Sequence, residues 1–157
     1  PESQRLTPTP DFAHGSVIIA PYIDQTGLVL LSDESQMRSA RNHLWAEPIY
    51  EAVRHFLMRE ISHNFGEDLL PLPPRRDARL INVRIDQLHG TSDGVARLVA
   101  YWWISNAEEV ATAQRFAGTQ PLSRDGYAAL VTAEKALLTG LATDIASAMH
   151  TAEAAAE

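Results

Sequence analysis

The sequence predicts a single α/β domain, a mixed and partly antiparallel sheet of five to six strands packed by two main helices. Three observations lead there. Short apolar or alternating runs recur at residues 17–20, 28–31, 81–85 and 95–104. Two longer stretches, near 47–65 and 123–150, repeat their apolar residues every three or four positions. The chain has 157 residues, 45% of them hydrophobic, which is enough for one buried core without metal or disulfide staples.

The elements follow in order. Residues 1–13 hold three Pro and few apolar side chains, and read as an extended leader or tether ahead of a domain at 14–150. Val17-Ile18-Ile19-Ala20 is a short strand, and Leu28-Val29-Leu30-Leu31 is a second after the turn residues Asp24 to Gly27. Residues 36–42 supply a weaker third. Glu47-Pro48 opens a helix, because Pro at the first helical position loses no needed N–H. Ile49, Val53, Phe56, Leu57, Ile61 and Phe65 line one stripe of it, and Gly66 stops it. A Pro-rich crossover at 70–76 leads to Ile81, Val83 and Ile85, which alternate with Asn82, Arg84 and Asp86 as in a half-buried strand. Residues 95–104 are apolar on both faces apart from Arg97, the pattern of a central strand covered on both sides. Residues 112–118 add a strand with Gln114 and Phe116 on one face. The last helix starts at Ser123 or Asp125, both good N-caps, with Tyr127, Leu130, Val131, Leu137, Leu138, Leu141 and Ile145 as its stripe. Residues 151–157 read as a flexible Ala/Glu tail.

Composition excludes several functions. Lys and Arg number 13 and Asp and Glu 20, for a net charge of −7, which argues against a nucleic-acid partner and against a polybasic grip on anionic membrane. The chain has no Cys, so it holds no disulfide, thiolate nucleophile or thiolate-bound metal. No apolar run is long enough to span a bilayer. The chain begins at Pro1 and reads as a processed or trimmed product, so a signal peptide or anchoring residue upstream would fall outside it.

Chemistry-bearing motifs are sparse. Gly90-Thr91-Ser92-Asp93-Gly94 fits the G-x-S-x-G nucleophile pattern, but that pattern needs a strand-to-helix turn and a strand follows here. A hairpin turn is the better reading of it. A hydrolase using Ser92 would need His89 or another imidazole beside it. The six His show no metal-ligand spacing. Glu51 with His55, and Arg59 with His63, sit four residues apart as solvated helix-face pairs, and a site there would need a third group from elsewhere in the fold. Tyr101-Trp102-Trp103 is the densest aromatic cluster, with Trp102 facing opposite to its neighbours. It reads as core, and Trp102, Trp103 and Phe116 are the candidates for contact with an apolar ligand or a partner. No catalytic, cofactor-binding or metal-binding set emerges, and no enzyme activity is expected.

Two segments resemble a known family. His43-Leu44-Trp45-Ala46-Glu47-Pro48-Ile49 opens the first helix, and Arg124-Asp125-Gly126-Tyr127 opens the last, with a strand–hairpin–strand run between them. In this order and spacing they look like the PqiC-like family of auxiliary lipoproteins of ABC-type transporters, including those that work with MCE proteins. The resemblance spans residues 17 to about 149. It implies a fold like the N-terminal domain of TolB, and a periplasmic lipoprotein anchored to the outer membrane through an upstream lipidated Cys. It also implies a non-catalytic role in moving lipids or other apolar compounds across the envelope, with other transport subunits, and in some cases further copies of the chain, as partners. Trp45, Pro48, Asp125, Gly126 and Tyr127 are then structural residues. The alternative is a carrier that itself binds a lipid or another apolar ligand.

Overall fold

A computed structural model describes residues 12–21, 23, 49–71, 77–91, 93–109 and 111–155. In chain order these form strand β1 (Phe12–Ile19), helix α1 (Ile49–Phe65), strands β2 (Arg79–Gly90), β3 (Val95–Ser105) and β4 (Gln114–Pro121), and helix α2 (Tyr127–Ala155). The strands lie in the order β1-β2-β3-β4. β1 runs parallel to β2, while β2 with β3 and β3 with β4 are antiparallel. A parallel neighbour requires a crossover, and α1 lies within the one that joins β1 to β2.

The sheet is mixed and packed by two helices, as the sequence predicts, and among the described residues it has four strands. The strands expected at 28–31 and 36–42 lie outside the described residues, as do Pro48 and most of the Pro-rich crossover. Three element limits need correction. β1 starts at Phe12 rather than Val17, so Phe12 and Ala13, assigned to the leader by the sequence, are buried strand residues. α2 begins at Tyr127, with the Leu130 N–H donating to the Gly126 carbonyl at 3.1 Å, so neither Ser123 nor Asp125 is its cap. Its helical conformation continues to Ala155, into the expected tail, because Ala152 still packs against the core.

Two bulges explain why the alternation was hard to follow. In β1, Gly15 and Ser16 together oppose Asn82, so Phe12 and His14 pair with Arg79 and Ile81 while Val17 and Ile19 pair with Val83 and Ile85. The extra residue resets the phase of the strand. In β2 the register shifts between Ile85 and Gln87, which returns Leu88 to the side of Ile81, Val83 and Ile85; all four are fully buried.

The core sits between one face of the sheet and the two helices. Val53, Leu57 and Ile61 of α1 and Leu130, Leu138, Leu141 and Ile145 of α2 are fully buried against Ile81, Val83, Leu98 and Ala100. Gly66, at φ +94°, ends α1 in the left-handed region where Gly carries no steric cost. The expectation that β3 is covered on both faces holds fully for one and in part for the other, where Val99 is buried. Ala96, Leu98, Ala100 and Trp102 join the core, whereas Arg97 on the other face is exposed and Tyr101 and Trp103 are half-buried.

Candidate functional site

The residues named from sequence distribute over both sheet faces. Trp102 is 8% exposed and packs into the core; Phe116 lies on the same face, against Gly140 of α2. Trp103 projects from the opposite face, so the three do not form one patch. Trp102 also borders a cleft of about 490 Å³ between β3, β4 and α2, whose walls include the polar Gln114, Arg115 and Asp144. Asp125 is exposed, and Gly126 adopts φ +110°, a conformation that accounts for Gly at this point of the motif. Tyr127 is the first residue of α2. Trp45, Pro48 and Ser92 lie outside the described residues. The segment around Ser92 joins the antiparallel strands β2 and β3, with the Thr91 N–H donating to the Val95 carbonyl at 2.8 Å. That is hairpin geometry, not a strand-to-helix elbow.

The sheet face opposite the helices has its own chemistry. The register sets Ile18, Arg84, Tyr101 and Arg115 in one row across the four strands. The Arg84 guanidinium lies 4.9 Å from the centre of the Tyr101 ring and pairs with Asp86 at 2.9 Å. Ile18 is 51% exposed, and Arg97 adds a further exposed cation to this face. Among the described residues this face thus carries three Arg side chains, one of them paired with Asp86.

A second feature joins residues far apart in sequence. A cleft of about 780 Å³ opens between β1, α1 and the segment after α1. His55, Arg59 and His63 recur every four residues along α1 and line it, with Arg54 one residue away on the same side. His14 enters from β1, which supplies the group from elsewhere in the fold that the helix pairs lacked. The segment after α1 closes the cleft by pairing with the free edge of β1. The His14 N–H donates to the Leu70 carbonyl at 2.8 Å, and the Leu70 N–H donates to the Phe12 carbonyl at 3.1 Å. Burial, then the nearby Arg54 and His55, hold the His14 imidazole below its ordinary pKa. Among the described residues no group of three His, Asp or Glu side chains is placed to hold a metal ion.

The β1 bulge fixes His14 in place. The Asn82 side chain is buried, and its Oδ1 accepts from the Ser16 N–H at 3.1 Å and the Ser16 hydroxyl at 3.2 Å. Its Nδ2 donates to the Ser105 hydroxyl at 2.9 Å, so one amide ties β1 through β2 to β3. Sequence reasoning treated Asn82 as an ordinary alternating polar residue; the adjacent Gly15-Ser16 pair was the available sign of a bulge.

Known proteins show the same fold. A crystal structure of an uncharacterized protein matches with a TM-score of 0.72 at 17% identity, covering 90% of this chain and 92% of that one. A protein from Xanthomonas campestris matches with a TM-score of 0.62 at 13% identity, covering 86% of this chain and 80% of that one. Among curated proteins none matches. Among the described residues no helix is long and apolar enough to cross a membrane. The family model for the ABC-type transport auxiliary lipoprotein component matches residues 2–146, and the chain belongs to that family.

Proposed function

We propose that the chain is a non-catalytic auxiliary subunit of an ABC/MCE-type system moving lipids or other apolar compounds across the Gram-negative envelope. In this reading it faces the periplasm, held at the outer membrane by a lipid on an upstream Cys, and supports membrane integrity. The observation that carries the reading is the family match over residues 2–146. It acts through protein contact, and the face bearing Ile18, Arg84, Tyr101, Arg97 and Arg115 is the surface best suited to an acidic partner subunit. Aromatic and Arg side chains are the types that dominate interface energetics, and complementary charge steers encounter. The carrier alternative draws less support, because the helix-facing side of β3 is occupied by the protein's own core.

The test replaces Arg84 and Arg115 together with Glu in the full-length protein, in cells lacking the native copy. Both side chains are exposed, so the fold should keep its melting temperature within about 2 °C. The expected result is a leaky envelope and loss of site-specific cross-linking from Tyr101 to a transporter subunit, with ATP hydrolysis by the isolated ATPase unchanged. Full complementation by the variant, with cross-linking retained, would sink the contact surface. A normal envelope after deleting the gene would sink the transport role itself.

A further inference from the structure

The cleft between β1 and α1 departs from the character of the chain around it. Acidic residues outnumber basic ones by 20 to 13 overall. Here the described lining residues include Arg54, Arg59, His14, His55 and His63 and one carboxylate, Asp68. Among the described residues, no ion pair to a carboxylate is made by Arg54 or Arg59. Arg54 is half-buried, and Arg59 is exposed with its guanidinium 5.8 Å from the centre of the Phe56 ring. Met58 and Leu69, both buried, form apolar parts of the wall.

Three His in one cleft would ordinarily raise the question of a metal cation. Two guanidiniums in the same wall oppose one by simple repulsion, and the His positions do not form a ligand set. An anion reverses the sign of every one of these terms. Guanidinium groups match the oxygens of a phosphate in paired, forked hydrogen bonds, and an imidazole becomes a double N–H donor once protonated.

We propose that this cleft binds a phosphate-type oxyanion, with Arg54 and Arg59 as the fixed-charge ligands and His14, His55 and His63 as further N–H donors. Asp68 is the one carboxylate among the described residues of the wall. The site is independent of the transport reading, since it rests on the cleft alone. The anion has two sources: free phosphate, inorganic or on a soluble metabolite, and the headgroup of an anionic phospholipid.

The experiment titrates the purified chain with inorganic phosphate while following the imidazole resonances of the six His by NMR. It then measures co-flotation with vesicles of pure phosphatidylcholine and with vesicles containing phosphatidylglycerol. Saturable shifts at His14, His55 and His63, absent at His89 and His150, are expected. Arg54→Gln should weaken binding about tenfold or more, as expected for loss of charged hydrogen bonds. Arg54→Lys should recover part of that, and Arg124→Gln, exposed and outside the cleft, should change nothing. Flotation with phosphatidylglycerol that is lost in Arg54→Gln would assign the headgroup as the source; phosphate binding without flotation would assign a soluble phosphate. If phosphate moves none of the three His resonances and neither vesicle retains the wild-type chain in an Arg54-dependent way, the proposal is wrong, whatever the variants do. Failure of this test leaves the transport role standing, and loss of the transport role leaves this test unchanged.

Discussion

Substituting Gly15 by Ala probes the junction on which the β1 bulge depends. A Cβ at position 15 would lie 2.5 Å from Asn82 Oδ1 and 2.6 Å from the Ile81 carbonyl oxygen. Both are far inside contact distance, and they differ in how they can yield. The Ile81 oxygen is part of the sheet backbone, so moving it strains the β1–β2 register. The Asn82 side chain can turn away only by giving up its bonds to Ser16 and Ser105. Forcing an extra carbon into a packed site costs about 1–3 kcal/mol, and each net hydrogen bond lost costs about 1 kcal/mol. Water replaces the bonds to exposed Ser16, so one net bond is counted and the sum is a destabilisation of about 2–4 kcal/mol, a large share of the roughly 5–15 kcal/mol that holds a domain folded. Urea unfolding followed by Trp fluorescence measures it directly, and the melting temperature should fall by about 4–16 °C. Removing the movable obstacle should help, so Gly15→Ala with Asn82→Ala should cost less than the two single substitutions added together. A loss below about 0.5 kcal/mol for Gly15→Ala, or strict additivity in the double variant, would refute this account of the bulge.

Other outcomes follow from the same coordinates. Leu138→Ala, at a fully buried position of α2 between sheet and α1, should cost about 2–5 kcal/mol in urea unfolding with an unchanged m-value. Gly140→Ala should stabilise α2 by up to about 1 kcal/mol, because Gly is a poor helix former and the new Cβ would meet the Phe116 ring at an ordinary 3.4 Å. His14 has its folded pKa lowered by burial and by Arg54 and His55, so the unfolded chain binds the proton more readily. The stability tied to that imidazole is therefore full above its unfolded pKa of about 6.5 and is lost as the pH falls through the lower folded value. His14→Gln should flatten the unfolding free energy between roughly pH 7.5 and 5.5, and an unaltered pH profile would contradict the assignment.

The helices, the first half of the core-facing side of β2 and the central place of β3 are legible in the sequence, because each shows an apolar period with no break. Val53, Leu57 and Ile61 mark α1, and Ile81, Val83 and Ile85 mark β2, without outside help. β1 was foreshortened for a physical reason: its bulge breaks the period at Gly15 and Ser16, so Phe12 and His14 appear unrelated to Val17 and Ile19. The far face of β3 is covered only in part, since Val99 is buried while Tyr101 and Trp103, whose polar atoms tolerate water, stand half-exposed. The basic cleft was legible only in part. The recurrence of His55, Arg59 and His63 is visible along α1, but the arrival of His14 depends on a parallel strand placed by a long crossover, and no local pattern encodes that meeting.

The strand order β1-β2-β3-β4 also has a kinetic consequence. β2, β3 and β4 are joined by short connections and can pair early, since closing a small loop sacrifices little chain entropy. β1 reaches β2 only after a crossover that spans residues 20–78, so its parallel pairing closes the longest loop among these strands. The chain should thus assemble its meander first and dock β1 last. Pulse-labelling hydrogen exchange during refolding would show the amides of β3 protected before those of β1. Whatever depends on β1, including the position of His14, becomes native only in that final step.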